Sequence, residues 1–137
     1  MATHPTIESV MTPYPYSIEA DAHAGAARSM LEQFRIRHLP VHEGDRLVGV
    51  VSERDLKRAA EMGWDVTLGG SARVGDICTK DVYIVRPEEP LVDVLQHMAT
   101  QHVDSVLIAR HGKLAGIFTF TDACRHCAEL LLAQAKA

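Results

Sequence analysis

Two stretches of this chain set a hydroxyl three residues before a carboxylate, Ser52-x-x-Asp55 and Thr119-x-x-Asp122. Where such a pair opens a helix it can do either of two jobs. The hydroxyl and the acid can close on each other as a helix cap, with Asp where Glu is commoner. Alternatively, the aspartate can accept both hydroxyls of a ribose in charge-assisted hydrogen bonds. The hydroxyl and the free N–H groups of the helix start would then serve a phosphate or sugar oxygen. Spacing alone leaves both jobs open.

The two stretches lie 67 residues apart, and that interval recurs along the whole chain. Val10-Met11-Thr12 falls on Ile77-Cys78-Thr79, Tyr16 on Tyr83, Leu31 on Met98, and Gly49-Val50-Val51-Ser52 on Gly116-Ile117-Phe118-Thr119, with one residue of slack expected near Gly44 and Gly112. A period this long, present twice, means two copies of one supersecondary unit.

The composition places limits on function. The 137 residues are enough for one core, whereas either half alone would be marginal. The net charge of -4, without a basic stripe, argues against a nucleic-acid partner. No apolar run is long enough to span a membrane, and Met1-Ala2-Thr3-His4-Pro5 has no export signature, so a cytoplasmic protein is expected. Cys78, Cys124 and Cys127 are too few for a disulfide scaffold and read as free thiols. No mononucleotide loop pattern occurs, and Gly49 and Gly116 read instead as close backbone approaches inside strands.

The elements that must position the motifs follow from periodicity. A short helical lead-in is expected over 5–12, then a strand holding Tyr16 and Ile18. Ala24, Ala27, Leu31 and Phe34 form a helical stripe that predicts a helix from Ala22 to Phe34. Strands Leu39–Val41 and Leu47–Val51 flank the turn Glu43-Gly44-Asp45, and a helix starts at Ser52. The glycine-rich segment 63–73 reads as a loop, with Trp64 as its expected anchor on the core. The order then repeats: a lead-in at Val74–Ile77, a strand Val82–Val85, a helix Glu88–Met98, strands 105–109 and 114–118, and a terminal helix from Thr119. The unit is β-α-β-β-α, twice, which predicts an α/β fold.

At Gly49-Val50-Val51-Ser52-Glu53-Arg54-Asp55 and Gly116-Ile117-Phe118-Thr119-Phe120-Thr121-Asp122 the chain resembles the tandem CBS-domain family. The openings Val10-Met11-Thr12-Pro13 and Ile77-Cys78-Thr79-Lys80, and the joint Arg37-His38-Leu39-Pro40-Val41, carry the same resemblance, which covers nearly the whole chain. It implies repeats over 5–62 and 74–134, joined by the linker 63–73 into one Bateman module of the stand-alone type. The implied architecture is a pseudo-two-fold tandem CBS pair with mixed sheets packed at the centre and two clefts between the repeats. Such modules bind AMP, ADP, ATP or S-adenosylmethionine, commonly form homodimers, and regulate an enzyme, channel or transporter. They are not themselves enzymes.

Carried over residue by residue, one cleft would set Thr119 and Asp122 against Thr12, Tyr14, Tyr16, Arg37, His38 and Pro40. The other would set Ser52 and Asp55 against Thr79, Val82, Tyr83 and the joint Val103-Asp104-Ser105. Arg37 and His38 suit a phosphate. Asp104, standing where Arg37 stands in the first repeat, would oppose one by about 1 kcal/mol or more. Arg54 and Arg58 offset it in part, and Leu107 replaces the proline. The nucleotide is therefore expected in the Asp122 cleft. Tyr14 is a candidate for stacking on adenine or for packing.

Cys124-Arg125-His126-Cys127 puts two thiols on one helix face, but structural zinc sites draw two ligand pairs and the chain shows one, so no metal site is assigned. Buried or interfacial thiols are expected there, and the stripe Ala128, Leu131, Leu132 and Ala135 is read either as a dimer seal or as an intramolecular face. The leading reading is a regulatory module that binds an adenine nucleotide. The alternatives are a structural or protein-interaction module without a physiological ligand, and a metal- or redox-responsive regulator acting through Cys124 and Cys127.

Overall fold

The computed structural model describes residues 4–136. The chain opens with a 3-10 turn, Ile7–Ser9, and then runs through β1 (Thr12–Pro13), β2 (Ile18–Glu19), α1 (Ala24–Phe34), β3 (His38–Glu43), β4 (Arg46–Ser52) and α2 (Glu53–Glu61). The order returns as α3 (Val74–Ile77), β5 (Tyr83–Val85), α4 (Leu91–Gln101), β6 (Ser105–Arg110), β7 (Lys113–Thr119) and α5 (Phe120–Lys136). The fold is α/β, with two β-α-β-β-α repeats, β2 to α2 and β5 to α5. Both sheets are mixed: the first pair in each is parallel (β2 with β3, β5 with β6) and the next antiparallel (β3 with β4, β6 with β7).

The repeat is visible in the backbone as well. Arg35 and His102, again 67 apart, each end their helix in the left-handed conformation, at φ 53 and 56°. The strand registers hold the same interval through the hairpin turns, Glu43 opposite Arg46 and Arg110 opposite Lys113, so the expected slack is not needed.

Two compact units are present among the described residues, one made of residues 4–14 together with 83–136, the other of residues 15–82. Each lead-in therefore belongs with the sheet of the other repeat. Ile7 is fully buried among Val85, Leu91, Val94, Met98, Val106, Ile108 and Phe118. Val74 is buried among Ile18, Leu31, Leu39, Val41, Val51 and Leu56. Glu8 pairs with Arg110, which ties the first lead-in to the end of β6.

The first lead-in differs from the helix expected over 5–12. Only Ile7–Ser9 turns, and Thr12–Pro13 is extended because it pairs antiparallel with β7, Thr12 opposite Ile117 and Pro13 opposite Gly116. The second lead-in makes the same contact through a single bridge, Thr79 opposite Val50, with two backbone hydrogen bonds of 2.9 Å. Tyr16 lies outside β2, and its ring stacks on Phe34 with centroids 3.8 Å apart. Trp64 is not the loop anchor, since it is 42% exposed; Val66 and Ala72 are buried in its place. The loop backbone also crosses Gly25 so closely that a Cβ there would stand 2.6 Å from the Thr67 carbonyl oxygen.

Gly49 and Gly116 sit where a lead-in crosses the strand. A Cβ on Gly49 would overlap the carbonyl oxygen of Thr79, whereas on Gly116 it would overlap the flexible side chain of Met11 and lie 3.0 Å from the Thr12 carbonyl oxygen. Backbone cannot move aside as a thioether can. Gly49→Ala is therefore expected to lower stability by about 2–3 kcal/mol and Gly116→Ala by about 1. Urea unfolding of the two variants checks the order.

Candidate functional site

Both hydroxyl–acid motifs stand where a strand hands over to a helix, β4 to α2 and β7 to α5. Ser52 is extended, at φ -127° and ψ 169°, and its hydroxyl accepts from the Asp55 N–H at 3.3 Å while donating to Asp55 Oδ2 at 3.1 Å. Asp55 Oδ2 also accepts the Ser52 N–H at 2.9 Å, which completes a capping box. Thr119 and Asp122 reproduce all three distances: 2.9, 3.1 and 3.3 Å. The capping job is thus realised at both motifs.

The remaining carboxylate oxygen separates them. Asp55 Oδ1 accepts the Thr79 hydroxyl at 2.9 Å and lies 3.9 Å from Arg58 Nη1. At 4% exposure, Asp55 is the one buried charged residue among the described residues. Both of its oxygens are used within its own unit. Asp122 Oδ1 accepts from Arg125, whose Nη1 donates at 3.2 Å from a side chain that is 64% exposed. Thr12 holds the register of Thr79, opposite Ile117 as Thr79 is opposite Val50, yet its hydroxyl makes no hydrogen bond among the described residues. One corner is closed by its threonine, and at the other an exposed arginine takes that place.

The strand that carries Thr12 ends on an unusual residue. Tyr14 follows β1 in the left-handed region at φ 45°, its N–H donates to the Ala115 carbonyl at 2.9 Å, and its ring is 75% exposed. A non-glycine residue pays about 1–2 kcal/mol for that conformation. Here the backbone bond to β7 holds it.

Within the unit of residues 15–82, Arg37 is exposed just before β3, and His38 stands opposite Ser52 on β3. Pro40 is fully buried in the middle of β3. Tyr16 is taken up by Phe34, and Val82 is half-buried at the end of the unit. Thr79 lies at the Asp55 corner as a brace on the carboxylate. Beneath it, Cys78 is half-buried, and burial pushes its thiol above the ordinary range. In the other unit Asp104 precedes β6, and its carbonyl accepts the Phe120 N–H at 3.2 Å.

Sequence reasoning missed Arg125 as a partner of Asp122. The signal was available, because Asp-x-x-Arg occurs at Asp55 and Arg58 and again 67 residues later. Of the two expectations for the thiols of the last helix, buried or interfacial, burial within the chain is corrected: Cys124 and Cys127 are exposed, and α5 buries none of its side chains. No three His, Cys, Asp or Glu side chains gather around a metal position among the described residues. No helix there is long and apolar enough to cross a membrane.

The family model of the CBS domain matches residues 7–61 and 74–129. The chain belongs to the CBS-domain family. It is a tandem CBS pair, a Bateman module, and such a pair is a regulatory, non-catalytic unit. A homoserine O-acetyltransferase of Methanococcoides burtonii is 26% identical over 122 residues, which is 88% of this chain and 24% of that protein. The chain spans about a quarter or less of the length of the curated relatives it matches. Among solved structures, a Vibrio cholerae protein assigned to acetoin utilization, AcuB, superposes with a TM-score of 0.85 at 25% identity, covering 98% of both chains. CBSX2, solved in complex with AMP, superposes at 0.74 with 25% identity over 91% of this chain and 97% of that one.

The two corners differ in what their acids hold. Asp55→Ala leaves the Ser52 N–H and the Thr79 hydroxyl without their acceptor in a part-buried place, at an expected cost of about 2–3 kcal/mol for the two together. Asp122→Ala removes only the cap and an exposed ion pair, at about 1 kcal/mol. Thermal unfolding of both variants tests the difference.

Proposed function

We propose that this CBS pair is an adenine-nucleotide sensor whose ligand is held at the Asp122 corner. The observation that carries the reading is Asp122 Oδ1, which takes an exposed arginine where Asp55 Oδ1 takes the Thr79 hydroxyl, while the equivalent Thr12 hydroxyl makes no hydrogen bond among the described residues. A ribose offers two neighbouring hydroxyls to a carboxylate, and displacing one exposed arginine makes room for them. Backbone held in a sparsely populated region, as at Tyr14, tends to mark ligand clamps. The AMP complex of CBSX2 supports the ligand class.

In this reading Asp122 receives the ribose, Thr119 and Thr12 serve sugar or phosphate oxygens, and Tyr14 stacks on the base. AMP, ADP or ATP is the ligand, with S-adenosylmethionine a weaker candidate because it lacks a phosphate ester. Ser52, Asp55 and Thr79 form a structural brace, so that corner binds weakly or not at all. The sensor works as a homodimer and transmits occupancy to an enzyme or transporter. Coupling requires only that the ligand bind two arrangements of the module unequally.

Calorimetric titration with AMP, ADP, ATP and S-adenosylmethionine tests the reading. Two hydrogen bonds to a charged group contribute about 1.5–3 kcal/mol each, so Asp122→Ala is expected to weaken nucleotide binding at least about 100-fold. Asp55→Ala is expected to lower the melting temperature while leaving affinity within a few-fold. No heat with any of the four ligands at millimolar concentration overturns the sensor and favours a structural module.

A further inference from the structure

Helix α5 carries two free, exposed cysteines three residues apart, Cys124 and Cys127. Its inward contacts are few: Ala123 packs on the core, and Asp122 and His126 are half-buried. At about 100° per residue, Phe120, Cys124, Cys127 and Leu131 fall along one side, separated by four, three and four residues. That is the spacing of residues that interlock between paired helices. All four are exposed, Phe120 at 48% and Leu131 at 60%. The charged residues Asp122, Arg125, Glu129 and Lys136 lie together on a different side, so the seam carries no charge and no hard oxygen ligand.

We propose that two copies of the chain pair their α5 helices antiparallel and hold one thiophilic divalent cation, of the Zn2+ class, between four cysteines. The register follows from alternating seam positions. With the two-fold axis between residues 125 and 126, Phe120 meets the partner's Leu131, Cys124 meets the partner's Cys127, and both contacts recur across the axis. The four thiols then fill the two central layers, each flanked by a Phe–Leu layer that excludes water. A C-x-x-C pair is half of a tetrahedral four-thiolate site, and an isologous contact supplies the other half without any further sequence. Cation binding displaces the thiol protons to solvent as the four sulfurs become thiolates. The proposal rests on the homodimer reading above and is independent of the nucleotide.

The test uses reduced, untagged protein and Co2+ as a spectroscopic stand-in for Zn2+. One Co2+ per two chains is expected, with thiolate-to-cobalt charge-transfer absorption, the visible bands of tetrahedral tetrathiolate, and the mass of a dimer by light scattering. Zinc should displace it with an apparent Kd below about 1 µM. Cys124→Ser and Cys127→Ser should each abolish the charge-transfer band, Cys78→Ser should keep it, and Leu131→Glu should weaken Co2+ binding at least tenfold. Circular dichroism confirms that each variant is folded. A dimer that persists in both serine variants with no thiolate band in the parent overturns the metal site and leaves the homodimer standing. A monomer in every state overturns both, and one Co2+ bound per monomer overturns the shared site.

Discussion

The crossing of a lead-in over the last strand of a sheet is the contact on which this fold depends. At Val50 and Thr79 the two backbones exchange hydrogen bonds of 2.9 Å, and they come that close only because Gly49 has no side chain in the way. The strand edge is satisfied by that exchange. The same crossing delivers the Thr79 hydroxyl to Asp55, whose carboxylate caps α2. Strand pairing, helix capping and burial of a charge are thus one cooperative arrangement. In the other unit β1 crosses β7 in matching register, and Gly116 admits it.

Equivalent corners need not be equivalent sites. Both aspartates cap their helices with the same three hydrogen bonds, so the cap is indifferent to what the second carboxylate oxygen does. In one copy a threonine occupies it and the acid is buried. In the other an exposed arginine does, and an arginine can swing away far more cheaply than a hydroxyl locked on a crossing backbone. Duplication followed by this division gives one corner closed by threonine and one taken by arginine. The helices diverge as well. Leu56 and Ala59, which bury α2, become Ala123 and His126 in α5, and the apolar surface of α5 lies elsewhere.

Much of this was legible from residue types at an interval of 67. The β-α-β-β-α unit, the Ser52–Asp55 cap, and the close approaches at Gly49 and Gly116 each depend on local pattern, and each is present. The failures share a cause. Trp64 looked like an anchor because it is large, but the core had room for Val66 and Ala72. Residues 5–12 looked helical by spacing, but the sheet edge drew Thr12 into pairing.

The sequence by itself determined the repeat, the elements and the pair of caps, because hydrophobic period, glycine and Ser/Thr-x-x-Asp act over a few residues. Only the tertiary structure decided which lead-in completes which sheet, which acid is closed, and which side of α5 is bare. Those outcomes come from backbone and side-chain contacts between residues distant in the chain, and competition among such contacts leaves no periodic trace.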